Sequence, residues 1–151
     1  MEFRPNTTSL DAIVLQYVET YKRAVIESNH SATGQLSRET SGIIKFDGAY
    51  LKVTLQMPVQ GIYLENGTRP HFPPVKEILK WIKIKPVLPR ALPGGKLPTQ
   101  EQLAYLIARK ISKTGTKPVH LIRNTLSDFN LKGKIIKEIQ NQYIKHIKDN
   151  L

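Results

Sequence analysis

The chain has no cysteine among its 151 residues, which rules out both a disulfide framework and a thiolate metal site. No apolar run approaches the roughly 18 residues that a membrane-crossing helix needs. The start, Met1-Glu2-Phe3-Arg4-Pro5-Asn6, lacks the basic-then-apolar layout of a secretion signal. These absences predict a protein made and assembled in a cytoplasm, with no membrane partner. Acidic side chains are also scarce, 12 against 23 basic ones, for a net charge of +11. An apolar fraction of 40% with 23% charged residues still argues for a folded globular chain. The length suits a single domain over 1–151, burying roughly two-thirds of its unfolded surface.

The positive charge is uneven. Residues 1–68 hold six basic and seven acidic side chains, whereas 69–98 hold seven basic against Glu77 alone. Residues 109–151 hold ten basic against three acidic. The excess lies in the second half, where it suits a polyanion, an acidic protein surface, or simply a solvated face.

Hydrophobic spacing predicts the elements. Thr8 is placed to cap a helix in which Leu10, Ile13, Val14, Tyr17, Val18, Tyr21, Ala24 and Val25 recur at three- and four-residue steps, ending near Asn29. That helix could pack on its own sheet or on a neighbouring subunit. His30-Ser31-Ala32-Thr33-Gly34 reads as a turn, and 35–40 as a short helical or irregular link. Two strands, 42–46 and 49–57, flank Asp47-Gly48, a hairpin signal. Leu51, Val53, Leu55 and Met57 alternate with polar residues, so one face is buried and one wet. Pro58 ends the second strand. The expected fold is α+β: an antiparallel hairpin packed by the long N-terminal helix, with more helices in the C-terminal half.

The next stretch is the most distinctive. After about one helical turn over 61–66, Asn66-Gly67 reverses the chain, since Gly takes φ > 0 without a Cβ clash. Thr68-Arg69-Pro70-His71-Phe72-Pro73-Pro74 then holds three prolines in seven residues and stays extended. A helix starts at the Pro73-Pro74 pair and runs to about Lys83, with Trp81 as its expected core anchor. Residues 83–98, rich in Pro and Gly and carrying Lys83, Lys85, Arg90 and Lys96, form a long basic loop. Thr99, with Gln102 three residues on, caps a helix that Gly115 stops. His120 to Leu126 lead into a last helix over 131–149 with an apolar stripe of Ile135, Ile136, Ile139, Tyr143, Ile144 and Ile147. Gly67-Thr68-Arg69-Pro70 and Gly115-Thr116-Lys117-Pro118 echo one another as two equivalent helix-stop devices.

Catalytic chemistry has little to stand on. His30, His71, His120 and His146 are isolated, and the pair of His146 with Asp149 falls at a helix end, which makes no metal site. There is no Gly-x-Ser-x-Gly, no Ser-x-x-Lys and no phosphate-cradling glycine motif. Glu65 with His71 is a conceivable acid–base pair, and Arg38, Arg109 and Arg123 a conceivable phosphate set. For Glu65 a hydrogen bond fixing the Gly67 turn is the simpler role, and for His71 a packed or interface position. The reading is a non-enzymatic protein without cofactor or metal.

Taken in order, the long N-terminal helix, Thr33-Gly34-Gln35-Leu36, the hairpin, Tyr63-Leu64-Glu65-Asn66-Gly67-Thr68-Arg69-Pro70-His71, Trp81, the 103–111 helix and Gly115-Thr116-Lys117-Pro118 resemble a known family. It is that of the small neck and tail-completion proteins of long-tailed bacteriophages, the head–tail joining or tail terminator type. The resemblance covers about residues 10–148. It departs at Asn66, where the family commonly has an aromatic, and at Val119-His120-Leu121, where Pro-Phe often follows the second Gly-Thr. The resemblance implies a virion protein, assembled in the host cytoplasm, commonly as six copies in a ring. That ring completes the tail, contacts tail tube and head connector, and lets double-stranded DNA pass. It also implies a turn and strap at the interface (Glu65, Gly67, Thr68, Arg69, Pro70, His71, Gly115, Pro118) and docking by the basic loop. A stand-alone basic DNA- or RNA-binding protein, using Lys132 to Lys148, is the alternative.

Overall fold

A computed structural model describes residues 3–28, 33–47, 50–85 and 87–151. The fold is α+β, with a long N-terminal helix, one antiparallel hairpin and further helices. Where the sequence suggests one domain, the backbone groups into two compact units, residues 1–61 with 120–151, and residues 62–119.

In the first unit, α1 (Thr7–Glu27) is capped by Asn6, whose side chain accepts from the Thr8 N–H at 2.9 Å. The cap lies two residues before the expected Thr8, because the amide of Thr8 is itself one of the orphan donors that a cap must satisfy. One side of α1 is fully buried: Leu10, Val14, Tyr17, Val18, Tyr21 and Val25. It packs against α2 (Gln35–Glu39), β1 (Ser41–Asp47), α6 (Leu121–Phe129) and α7 (Leu131–Asp149). Thus α1 organises its own unit. β1 pairs with β2 (Tyr50–Gln56) from Ser41↔Gln56 to Asp47↔Tyr50. Ile44 is buried, Leu51, Val53 and Leu55 are half-buried, and Lys45, Lys52 and Gln56 are exposed, the alternation that the sequence predicts. Gly48 and Ala49 of the hairpin turn, and Asn29 and His30-Ser31-Ala32 after α1, lie outside the described residues.

α6 is an element that the sequence reading passes over. His120 enters it in the left-handed conformation (φ 55°), and Asn130 (φ 52°) both ends it and caps α7 by accepting from the Gly133 N–H. The Tyr17 and Thr125 hydroxyls meet at 3.2 Å in the buried interior, and Thr125 also donates to the Leu121 carbonyl. A buried hydroxyl pair of this kind fixes the registry of α1 on α6, since either oxygen left alone would be costly.

α3 (Val59–Asn66) is a two-turn helix rather than a single turn. In the second unit, α4 (Val75–Ile84) packs on α5 (Gln100–Thr114). Their core is Ile78, Ile82, Ala104 and Ala108, with Val75, Leu79, Leu103, Ile107 and Ile111 against it. Two alanines on α5 let the isoleucines of α4 seat close to its backbone. Thr99 and Gln102 form the expected capping box. Pro74 is the residue before α4, not inside it. Trp81 is not a core anchor: it is 38% exposed. At about 100° per residue, Val75, Ile78, Leu79 and Ile82 share an arc that leaves Trp81 some 60° outside. Residues 87–98 carry no helix or strand, though Leu92 and Lys96 are joined by an N–H···O bond of 2.9 Å.

Candidate functional site

α3 and α5 end in the same way. The Gly67 N–H donates to the Tyr63 carbonyl and the Gly115 N–H to the Ile111 carbonyl, both at 2.8 Å. Each glycine then turns left-handed, at φ 69° and 68°, so the chain leaves the helix and extends through a Thr. The two devices are partners as well as equivalents. Thr68 and Thr116 form an antiparallel bridge, N–H to carbonyl at 3.1 and 3.2 Å in the two directions. Their hydroxyls lie 3.0 Å apart, and the Thr116 N–H also reaches the Thr68 hydroxyl at 3.1 Å. The Val119 N–H donates to the Leu64 carbonyl at 2.8 Å. The backbones are so close that a Cβ at Gly67 would lie 2.3 Å from the Thr116 oxygen, and one at Gly115 1.9 Å from the Thr68 oxygen.

The register sets Arg69 across from Gly115 and Lys117 across from Gly67. Neither cation has a side chain across from it in this register, and both are exposed. Pro70, Pro118 and His71 are exposed too, and the His71 Nδ1 lies 2.9 Å from the Arg69 carbonyl. Glu65 is half-buried on α3. The strap is therefore a paired-turn base with its polar residues outward.

Charge gathers in the same unit. Residues 62–119 hold eleven Lys and Arg side chains against Glu65, Glu77 and Glu101, a net of +8. Glu77 is engaged by Lys80 at 2.8 Å. The Glu101 carboxyl is held below its usual range, first by its own backbone N–H, then by the Thr99 side chain, with a lesser pull from Lys83. Both compensations are local to their helices and leave the wider field positive. Lys83, Arg90 and Lys96 are exposed as the sequence predicts, but the Lys85 Nζ is buried without a hydrogen-bond partner among the described residues. An ammonium in that position is poorly placed to meet a partner.

The sequence reading misses an apolar surface in the same unit. Phe72 and Tyr105 are half-exposed, with ring centroids 6.1 Å apart. Leu92, Glu101, Gln102, Tyr105 and Leu106 line a shallow cavity of about 390 Å³. The signal was available: Tyr105 and Leu106 sit off the arc of Ala104 and Ala108, so an amphipathic α5 has to expose them. The only charged residue lining that cavity, among the described residues, is Glu101.

Among the described residues, no three His, Asp or Glu side chains gather where they could hold a metal ion, and no helix is long and apolar enough to cross a membrane. The three arginines weighed as a phosphate set are divided between the units, Arg38 and Arg123 in the first and Arg109 in the second. Comparison with protein-family models, with curated proteins and with solved structures gives no match.

Proposed function

We propose that the chain is a structural protein of a tailed-phage neck. It is a subunit of a ring that completes the tail and joins it to the head connector, with DNA passing through the lumen. The observation that carries this reading is the bonded pair of Gly-Thr turns at Thr68 and Thr116. Two of the motifs in the ordered series that carries the resemblance are bonded to each other, in a unit of net charge +8. A stiff, basic surface with half-exposed aromatics suits docking to an acidic protein neighbour. A lumen that gripped every phosphate would hinder passage of DNA, because each contact adds salt-dependent affinity. The basic loop is therefore a docking element and not a DNA clamp. Head-to-tail contacts that close on themselves give the ring.

The lysines of α7, Lys132 to Lys148, favour a second reading, a stand-alone nucleic-acid-binding protein. Light scattering with and without short duplex DNA, at low and moderate salt, separates the two. A ring, or a monomer indifferent to DNA, agrees with the neck role. A monomer or dimer with steeply salt-dependent DNA binding favours the second reading. In assembly, Arg69→Glu with Lys96→Glu should leave the protein folded and block joining of heads to tails; unimpaired joining removes the docking role.

A further inference from the structure

α7 carries one broad apolar arc, and the fold covers only one edge of it. At about 100° per residue, Leu131, Ile135 and Ile139 lie on one side of the helix. Leu131 and Ile135 are buried in the first unit and Ile139 is half-buried. Tyr143, Ile136 and Ile147 continue that arc within about 40° of each other, starting about 40° past Ile139, with Ile144 about 60° further round. These four are 45, 49, 41 and 50% exposed, respectively for Ile136, Tyr143, Ile147 and Ile144. Their spacing of i, i+7, i+8 and i+11 covers three turns, about 16 Å, the layout by which one helix receives another. Phe3 meets the Tyr143 ring edge-on at 5.2 Å and also lies against His146, at the flank of the row.

The rim of this stripe is basic. Lys132 lies on one side of it, and Lys137 and Lys148 on the other. The acidic residues of the helix, Glu138 and Asp149, fall on the far side, and Glu138 accepts from the Gln142 side chain at 3.0 Å. A nucleic acid gains nothing from four apolar side chains at the centre of its contact. A second copy would bring lysine rim against lysine rim, a like-charge opposition. A membrane surface favours a broader apolar face with Trp, Phe or Leu, and the Leu131–Ile135 edge of the α7 arc is already buried.

We propose that the outer stripe of α7, centred on Ile136, Tyr143, Ile144 and Ile147, docks an acidic amphipathic helix of a partner protein. Apolar side chains of that helix cover the stripe, and its flanking carboxylates meet Lys132, Lys137 and Lys148. The surface belongs to the first unit, so it stands or falls independently of docking by the Gly-Thr turns.

The test uses the full-length protein and two labelled helical peptides of about four turns with the same leucine stripe, one flanked by glutamates and one by lysines. Fluorescence anisotropy should show saturable binding of the glutamate peptide, about tenfold or more tighter than its lysine twin, a gap of about 1.4 kcal/mol. Lys137→Glu with Lys148→Glu should reverse that preference, and Ile144→Ser should weaken both peptides. The thermal midpoints of these variants should match the parent, since the substituted side chains face outward. Equal affinity for the two peptides, or no binding of either, overturns the proposal. Phosphatidylglycerol vesicles that retain the parent protein and release Ile144→Ser, without peptide binding, would replace the partner helix with a membrane surface. A fall in solution mass in Ile144→Ser would replace it with a second copy.

Discussion

Gly115→Ala tests the paired turns most directly. Gly115 sits at φ 68°, ψ −164°, a region that side-chain-bearing residues enter at a cost of about 1–3 kcal/mol. The added Cβ would stand 1.9 Å from the Thr68 carbonyl oxygen, and a backbone oxygen cannot swing aside as a side chain can. Relief therefore requires the Thr68–Thr116 bridge to open, with its two N–H···O bonds worth about 1 kcal/mol each. The sum is about 3–5 kcal/mol, a large share of the 5–15 kcal/mol typical of whole domains. For a chain of this length it corresponds to a melting point roughly 10–15 °C lower. Gly94→Ala is the control: φ is 99°, but nothing lies within 4 Å of its Cβ, so it tests conformation without the clash. Circular dichroism melts of parent, Gly94→Ala, Gly115→Ala and Gly67→Val are the assay. Gly67→Val and Gly115→Ala break the same bridge, so their double variant should lose less than the two singles added together. A Gly115→Ala melt no lower than that of Gly94→Ala would refute the pairing.

Thr99→Ala should cost about 1 kcal/mol, because it removes one half of the capping box and leaves the Gln102 N–H without its acceptor; a thermal melt reads the loss. Trp81, the sole tryptophan and partly exposed, should emit as a solvated indole and be quenched by acrylamide in the folded protein; a blue-shifted, protected emission would contradict its placement. The Glu138 carboxyl is held below its usual range, first by the Gln142 side chain and then by Ser9. Its contribution to stability is therefore present above the ordinary glutamate value and lost as pH falls through the lowered one. Glu138→Gln should narrow the stability gap between neutral and acid pH, as followed by melts across that window, and an unchanged gap would remove the linkage.

Local devices were the legible part of the fold. The Thr99 capping box, the Gly115 stop, the hairpin and the last helix all follow from short-range chemistry, where one side chain answers one backbone group. The misses are tertiary. Trp81 looks like a core residue by type, yet the core is decided by which arc of α4 meets α5, and two alanines there favour Ile78 and Ile82. α6 went unseen because His120 enters it in a left-handed conformation that no propensity rule anticipates, although Leu121, Thr125 and Phe129 have helical spacing. The α7 stripe was legible as apolar, but not how far it is covered, since only the packing decides which isoleucines are buried.

The echo of the two Gly-Thr segments was visible in sequence, but their union was not, because a stop signal is local and a bridge spans 48 residues. Closing a segment of that length costs about 3 kcal/mol, more than the bridge's two hydrogen bonds return. The remainder has to come from the α4–α5 core of Ile78, Ile82, Ala104 and Ala108, which lies inside the closed segment. Bridge and core therefore depend on one another. The core brings the two ends near, and the bridge fixes the angle at which Arg69 and Lys117 leave the turns. A docking surface that must present cations in one geometry gains from that dependence, since the basic loop between α4 and α5 is anchored at both ends by helices that share a single core.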